Sequence, residues 1–421
     1  MEETAILNYP GSKRRLLNFI FENTKNLIDK NKVVLDIFAG TGCVAQFFKS
    51  QGYLVSTNDT EVYSYHISNA ILNGYDSRSF DLNSFFHNLE YNKTQLYLVF
   101  AKSVEEERRL ITEKNLELIC FDENLPKIWK NKDILFGCGI TVRNIADLNR
   151  NIDKIPFSLF TLYYSGSYFG LEQSIEIDSI RYAIERSNQQ NKSILLTCLY
   201  YAMKEASFSK DGHMAQPLNH QKNFNRLILS REKNIYNLFL KELNNLSNRE
   251  QPAIISKNYN MPFENLIEDV TIFQNIGMIY ADPPYTDMQY SRYFHLLTTV
   301  SNYQYPTMTV KKGKLTTGLY ADNRFQSTIS NHKTALSDLS RLMKKASSFD
   351  VPLVFSYAFP VDRENQPVDR YTMNIDDLIL QMKKTFKTVT IFEENFQHCN
   401  NRNSSAKKVI EYLIVGKKAR D

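Results

Sequence analysis

Apolar and polar positions fall into three regimes along the chain. Near the front, Lys32 to Phe38 (KVVLDIF) is a β-branched apolar run that leads into AGTGCVAQFFKSQG, where glycines give way to Val44, Phe47 and Phe48 at helical spacing. This pattern predicts a strand, a tight turn and a helix. Tyr53 to Asp59 (YLVSTND) predicts a second strand ending on an acidic residue, and the stretch from Thr60 to Leu72 the next helix, which completes a β-α-β unit. From about Ser79 to Pro252 the character changes, with charged helical segments such as SVEEERRLITEKN alternating with Asn-rich turns. Behind this stretch PAIISKNY, GMIYADPPY, VPLVFSY, TVTIF and VIEYLIVG read as successive strands, the last two separated by a polar segment suited to a hairpin. The expected fold is α/β: a mixed, mostly parallel sheet with helices on both faces, built from residues 1–78 and 252–421. A mostly helical lobe, residues 79–251, is expected to interrupt it.

Composition narrows the picture. A chain of 421 residues exceeds one compact domain, which agrees with a core plus an inserted lobe. Aromatic residues make up 13%, enough to supply both a core and surfaces on which bases could stack. The net charge of +5 fits a polyanionic partner without demanding one. The five cysteines stand far apart with no C-x-x-C pair, and His398 beside Cys399 lacks a companion pair at zinc spacing, so no metal is expected. The start, MEETAILNYPGSKRR, has no apolar leader core, and no stretch is apolar for 18 residues. The expectation is a cytoplasmic protein without a membrane partner.

The first chemical constellation is the turn Asp36-Ile37-Phe38-Ala39-Gly40-Thr41-Gly42 closing the first strand. Gly40 and Gly42 let backbone approach a ligand where a Cβ would collide, and the following helix start favours negative charge such as a carboxylate. The same residues would equally serve a structural turn. Asp59, 17 residues beyond Gly42, lies where an acid can accept both ribose hydroxyls of a nucleoside. Position 45 is Ala rather than the third glycine of the dinucleotide fingerprint. That favours a nucleoside without a pyrophosphate, of which S-adenosylmethionine is the common one.

The second constellation is Asp282-Pro283-Pro284-Tyr285 after the apolar GMIYA. Two prolines fix φ and remove two N–H donors, so the segment leaves the sheet as a stiff loop rich in acceptors. With the Asp282 carboxylate and the flat face of Tyr285, it suits a planar group bearing an exocyclic NH2. A Pro-Pro turn after a buried strand is the plain alternative.

Together these segments resemble the Dam-like group of DNA adenine N6-methyltransferases. Asn8-Tyr9-Pro10-Gly11-Ser12-Lys13 is similar to that family's N-terminal motif, DIFAGTG to its methionine-binding loop, Asp59 to its ribose-binding acid and ADPPY to its catalytic loop. The resemblance implies a Rossmann-like S-adenosylmethionine-dependent fold with a seven-stranded mixed sheet, residues 79–251 acting as a target-recognition lobe. It implies that Asp282 and the Pro283 carbonyl accept the amino group of a flipped adenine while Tyr285 stacks on it. Tyr9, Lys13, Asp36, Phe38, Ala39, Gly40, Gly42 and Asp59 would border the cofactor. One position departs from the pattern: Asn260 and a following proline stand where the family places an acid near the cofactor's adenine.

Double-stranded DNA is the expected partner, with a cognate restriction endonuclease as a candidate second one. Candidate DNA contacts are His213 and Gln216 in GHMAQP and the basic set Arg292, Lys311, Lys312, Lys314 and Arg324, interleaved with tyrosines. His213 is equally readable as a turn histidine. An acceptor loop of this kind also suits adenine in RNA or a glutamine amide in protein, and a catalytically silent DNA-binding protein is a third reading. Cytosine-C5 chemistry needs a Pro-Cys nucleophile loop, and the chain has no Pro-Cys pair.

Overall fold

The structure is a computed structural model that describes residues 6–7, 11–75, 80–130, 133–210, 212–249, 252–361, 368, 371–398 and 407–418. Its contacts divide the chain into two units, one comprising residues 9–73, 252–291 and 325–421, the other residues 1–8, 74–251 and 292–324.

The first unit is built on strands Val33–Asp36 (β1), Leu54–Asn58 (β2), Lys257–Tyr259 (β3), Ile276–Ala281 (β4), Leu353–Pro360 (β5), Thr388–His398 (β6) and Lys407–Lys417 (β7). They form one sheet in the order β6-β7-β5-β4-β1-β2-β3. Pairings among β5, β4, β1, β2 and β3 are parallel, whereas β7 runs antiparallel to both β5 and β6. The mixed α/β sheet and its closing hairpin are those expected from the apolar runs.

Strand alternation sorts this sheet into two cores. Leu35, Ile279, Phe355 and Ile414 face one side, where they meet Leu339 and Met343 of the helix Ala335–Ser348 and Leu378 and Met382 of Ile375–Thr385. Their neighbours Val34, Met278, Val354 and Leu413 face the other, against Leu17 and Ile20 of Leu17–Thr24 and Val44 and Phe48 of Cys43–Ser50. The chain reverses its direction of strand addition between β1 and β4, and a crevice opens beyond the carboxyl ends of the strands at such a point.

The second unit is mostly helical among its described residues. The 31-residue helix Leu82–Thr112, capped by Asp81, packs along Leu171–Glu185. Asp178 within the latter is fully buried and accepts the N–H groups of Phe160 (2.9 Å) and Thr161 (2.8 Å) and the Tyr303 hydroxyl. Arg181 donates to the carbonyl of Val300 at 2.8 Å. These buried polar bonds tie residues 292–324 to the helical unit, although in sequence they come soon after the Asp282–Tyr285 loop and were expected with the sheet.

Candidate active site

A cleft of about 1000 Å³, open to solvent, lies within the sheet unit at the carboxyl ends of its parallel strands. Lys13, Asp36, Phe38, Ala39, Gly40, Asp59, Asp282, Pro283 and Tyr285 all line it. Two motifs that start 246 positions apart, at Asp36 and Asp282, thus converge because β1 and β4 are hydrogen-bonded neighbours.

The glycine turn is held by backbone geometry. Gly40 and Gly42 take φ of 54° and 72°, in the left-handed region that a side chain disfavours. Ala39 N donates to the Asn58 carbonyl (3.0 Å), and Gly40 N to Asp59 Oδ2 (2.8 Å). The second Asp59 oxygen accepts Glu61 N at 2.9 Å. Each oxygen retains acceptor capacity for a further donor.

Asp36 is buried, and its Oδ1 has no hydrogen-bond partner among the described residues. Burial, then the nearby charges of Asp282 and Asp59, raises its pKa well above the usual carboxylate range. Asp59 is raised in the same direction by burial, opposed by the N–H groups of Glu61 and Gly40. A buried acceptor without a donor, among carboxylates that burial holds back from ionising, fits a ligand bringing positive charge and N–H donors.

Lys13 bridges the two halves. Its Nζ lies 3.1 Å from Asp282 Oδ1 and 2.8 Å from Glu411 Oε1, and 5.4 Å from the Tyr285 ring centre. Burial alone would lower the lysine pKa, but Asp282 and Glu411 outweigh it and hold the ammonium charged. Asp282 is raised by burial, an effect Lys13 opposes and Glu411 reinforces. Tyr285 stacks near-parallel to Tyr371 at 6.2 Å, and its carbonyl accepts Thr372 N at 3.1 Å, which fixes the loop. Gly11, at φ 81°, runs so close that a Cβ there would sit 2.9 Å from the Tyr285 hydroxyl oxygen.

Of the expected cofactor residues, Gly42 and Asn260 are not among those that line the cleft. Tyr9 lies outside the described residues. Asn260 is exposed and absent from the lining; its amide donates to the carbonyls of Asp59 (2.8 Å) and Thr60 (3.0 Å), bracing the turn after β2. Phe263 lines the cleft instead, packed edge-on to Phe38 at 5.3 Å. Sequence reasoning also missed Glu411 and its partner Ser356, whose hydroxyl donates to Glu411 Oε1 at 2.6 Å. The available signal was a lone acid inside the apolar run VIEYLIVG.

The candidate DNA contacts all lie in the helical unit. Arg292 and Arg324 both approach the Tyr320 ring, at 5.4 and 5.1 Å, and the Tyr320 hydroxyl donates to the Ala215 carbonyl, joining the basic segment to GHMAQP. Lys311, Lys312 and Lys314 sit exposed on a two-stranded hairpin, Val310–Lys311 with Lys314–Leu315. Gln216 is exposed. His213 packs edge-on to Tyr293 at 4.8 Å, and its Nδ1 accepts the Ala215 N–H at 3.4 Å, an arrangement that shapes the turn. Among the described residues no group of His, Cys, Asp and Glu could hold a metal, and no helix is long and apolar enough to cross a membrane.

A parallel sheet closed by an antiparallel strand, with an acidic cleft at its switch point, defines a protein of the S-adenosylmethionine-dependent methyltransferase fold. The model of the D12 class N6 adenine-specific DNA methyltransferases matches residues 9–349, and the chain belongs to that family. It is 25% identical to modification methylase LlaI of Lactococcus lactis subsp. lactis over 73% of this chain and 40% of the relative. It is 23% identical to modification methylase StsI of Streptococcus sanguinis over 72% of this chain and 37% of the relative. The type II methyltransferase M.FokI of Planomicrobium okeanokoites is 25% identical over 73% of this chain and 38% of its own length. The chain thus spans about 40% of the length of the curated relatives it matches. No solved structure matches it.

Proposed function

We propose that the protein transfers a methyl group from S-adenosylmethionine to N6 of adenine at specific sites in double-stranded DNA, as the modification half of a restriction-modification pair. The observation that carries this reading is the convergence of Asp36, Asp59, Asp282 and Tyr285 on one cleft. When bound, S-adenosylmethionine supplies an electrophilic methyl on a sulfonium. Asp36 Oδ1, which lacks a partner among the described residues, fits its ammonium, the Gly40–Gly42 turn its carboxylate, and Asp59 its ribose.

The chain's own residues then act on the base. Asp282 and the Pro283 carbonyl accept hydrogen bonds from the two amino N–H groups, which favours a tetrahedral nitrogen and exposes a lone pair otherwise delocalised into the ring. Tyr285 offers a stacking face worth about 1–3 kcal/mol, which offsets part of the few kcal/mol spent in extruding a base. Holding both reactants in one cleft contributes through orientation, and the carboxylates, preorganised, stabilise the redistribution of charge.

The helical unit is proposed to read the DNA. On this reading Arg292, Arg324 and the lysine hairpin supply phosphate contacts, and the exposed Gln216 reaches base edges. A restriction endonuclease is the proposed partner. The test is methylome sequencing of DNA from cells expressing the protein: N6-methyladenine confined to one sequence motif supports the reading, and an unmodified genome contradicts it.

A further inference from the structure

Alternation along the sheet places four polar residues on one face. Asp36, Ser356 and Glu411 share the parity of Val34, Val354 and Leu413 on their strands, and Asp282 follows β4 in the parity of Met278 and Tyr280. They stand on or just beyond the neighbouring strands β7, β5, β4 and β1, on the face covered by Leu17–Thr24, and Lys13, just ahead of that helix, reaches Glu411 and Asp282 there. Position 411 would hold a core residue on pattern alone. Instead it carries a carboxylate that is 1% exposed.

Lys13 stands closer to Glu411, at 2.8 Å, than to Asp282, at 3.1 Å. The Ser356 hydroxyl donates to the same oxygen, Glu411 Oε1, at 2.6 Å and so fixes the carboxylate. A buried ammonium shared by two carboxylates cannot fully compensate either one, and the Glu411 charge raises the proton affinity of Asp282. We infer that Glu411 is a positioning residue for methyl transfer: by drawing the Lys13 ammonium toward itself it leaves Asp282 under-compensated, and so a strong acceptor for the target amino group. This rests on the proposed function. The groups facing Asp282 are Lys13, Glu411, Tyr280, Tyr285 and Asp36, so Glu411 and Asp36 are the negative charges that oppose Lys13 there.

The test is single-turnover methylation of duplex DNA across a pH series, with S-adenosylmethionine affinity measured by calorimetry. In Glu411→Gln, Lys13 is left to Asp282 alone. The expected result is a rate about tenfold lower at the plateau and an acid limb displaced downward by about one pH unit, from loss of a like charge no more than about 6 Å away. Cofactor affinity should stay within about threefold of wild type, and Glu411→Asp should recover part of the rate. Should Glu411→Gln fail to fold, Ser356→Ala, which frees Glu411 from its hydrogen bond, should move the limb the same way by less. An unmoved acid limb in the variant that folds overturns the inference, because a merely structural role would lower the rate without displacing the profile. Wild type that places no methyl on duplex adenine overturns the proposed function itself; active wild type with an unchanged Glu411→Gln overturns this inference alone.

Discussion

The Asp59 carboxylate accepts the Gly40 N–H at 2.8 Å, so the end of β2 and the glycine turn after β1 are one hydrogen-bonded unit. Replacing Asp59 with Asn keeps the shape but removes the charge from these bonds and from those offered to a ribose. Charge-assisted hydrogen bonds contribute about 1.5–3 kcal/mol each. Calorimetric titration with S-adenosylmethionine should show affinity weakened by about tenfold or more in Asp59→Asn, and unchanged affinity would remove Asp59 from the cofactor site.

The acid limb of activity should lie above the ordinary carboxylate range, because burial raises Asp282 and Lys13 only partly offsets it. Asp282 works ionised, so activity falls as pH drops through the raised value. Stability moves the other way: a carboxylate whose folded pKa is raised contributes most when protonated, and that contribution is lost as pH rises through the folded pKa. Asp36 and Asp59 are shifted in the same direction and add to the effect. Rate and thermal-melt series between pH 5 and 8 in parallel should show activity declining with acidification while the melting temperature holds or rises.

Tyr285→Phe should keep most of the rate, since stacking needs only the ring. Tyr285→Ala should lose about 10-fold to 100-fold in kcat/KM for DNA, with cofactor affinity little changed. Equal losses in the two variants would mean that the hydroxyl, not the face, is what matters.

Gly11→Ala tests the coupling between the N-terminal motif and the catalytic loop. A Cβ at φ 81° would stand 2.9 Å from the Tyr285 hydroxyl oxygen, so that ring must shift or the turn must open. Kinetics should show the loss in kcat, as for displacement of Tyr285, and wild-type kcat would show the turn to be pliable.

The lysine hairpin is proposed to act on DNA affinity rather than chemistry. Each phosphate contact contributes about 0.9 to the slope of log affinity against log salt. Reversing Lys311, Lys312 and Lys314 to Glu together should flatten that slope by about 2–3 in a filter-binding titration, while cofactor affinity holds. An unchanged slope would take the hairpin off the DNA.

Much of the site was legible because its chemistry is local: Asp36 to Gly42 and Asp282 to Tyr285 are each contiguous, and each ends a strand that its apolar pattern announces. What could not be read was set by packing at long range. Glu411 and Lys13 meet only because β7 inserts beside β5, and a lone acid inside the apolar run VIEYLIVG does not by itself reveal its partner. Asn260 was placed by analogy of position, whereas its amide is spent on backbone carbonyls. Residues 292–324 follow the catalytic loop in sequence, yet Tyr303 and Tyr305 find buried partners in Asp178 and Ser158.

The most direct test of the central claim is incubation of the purified protein and its Asp282→Asn variant with methyl-labelled S-adenosylmethionine, duplex DNA, RNA and cell protein in separate reactions, followed by digestion and separation of the products. The account predicts label in N6-methyladenine from duplex DNA, reduced by about 100-fold or more in the variant. Label in N4-methylcytosine, in RNA or in glutamine, or an Asp282→Asn variant as active as wild type, would contradict it.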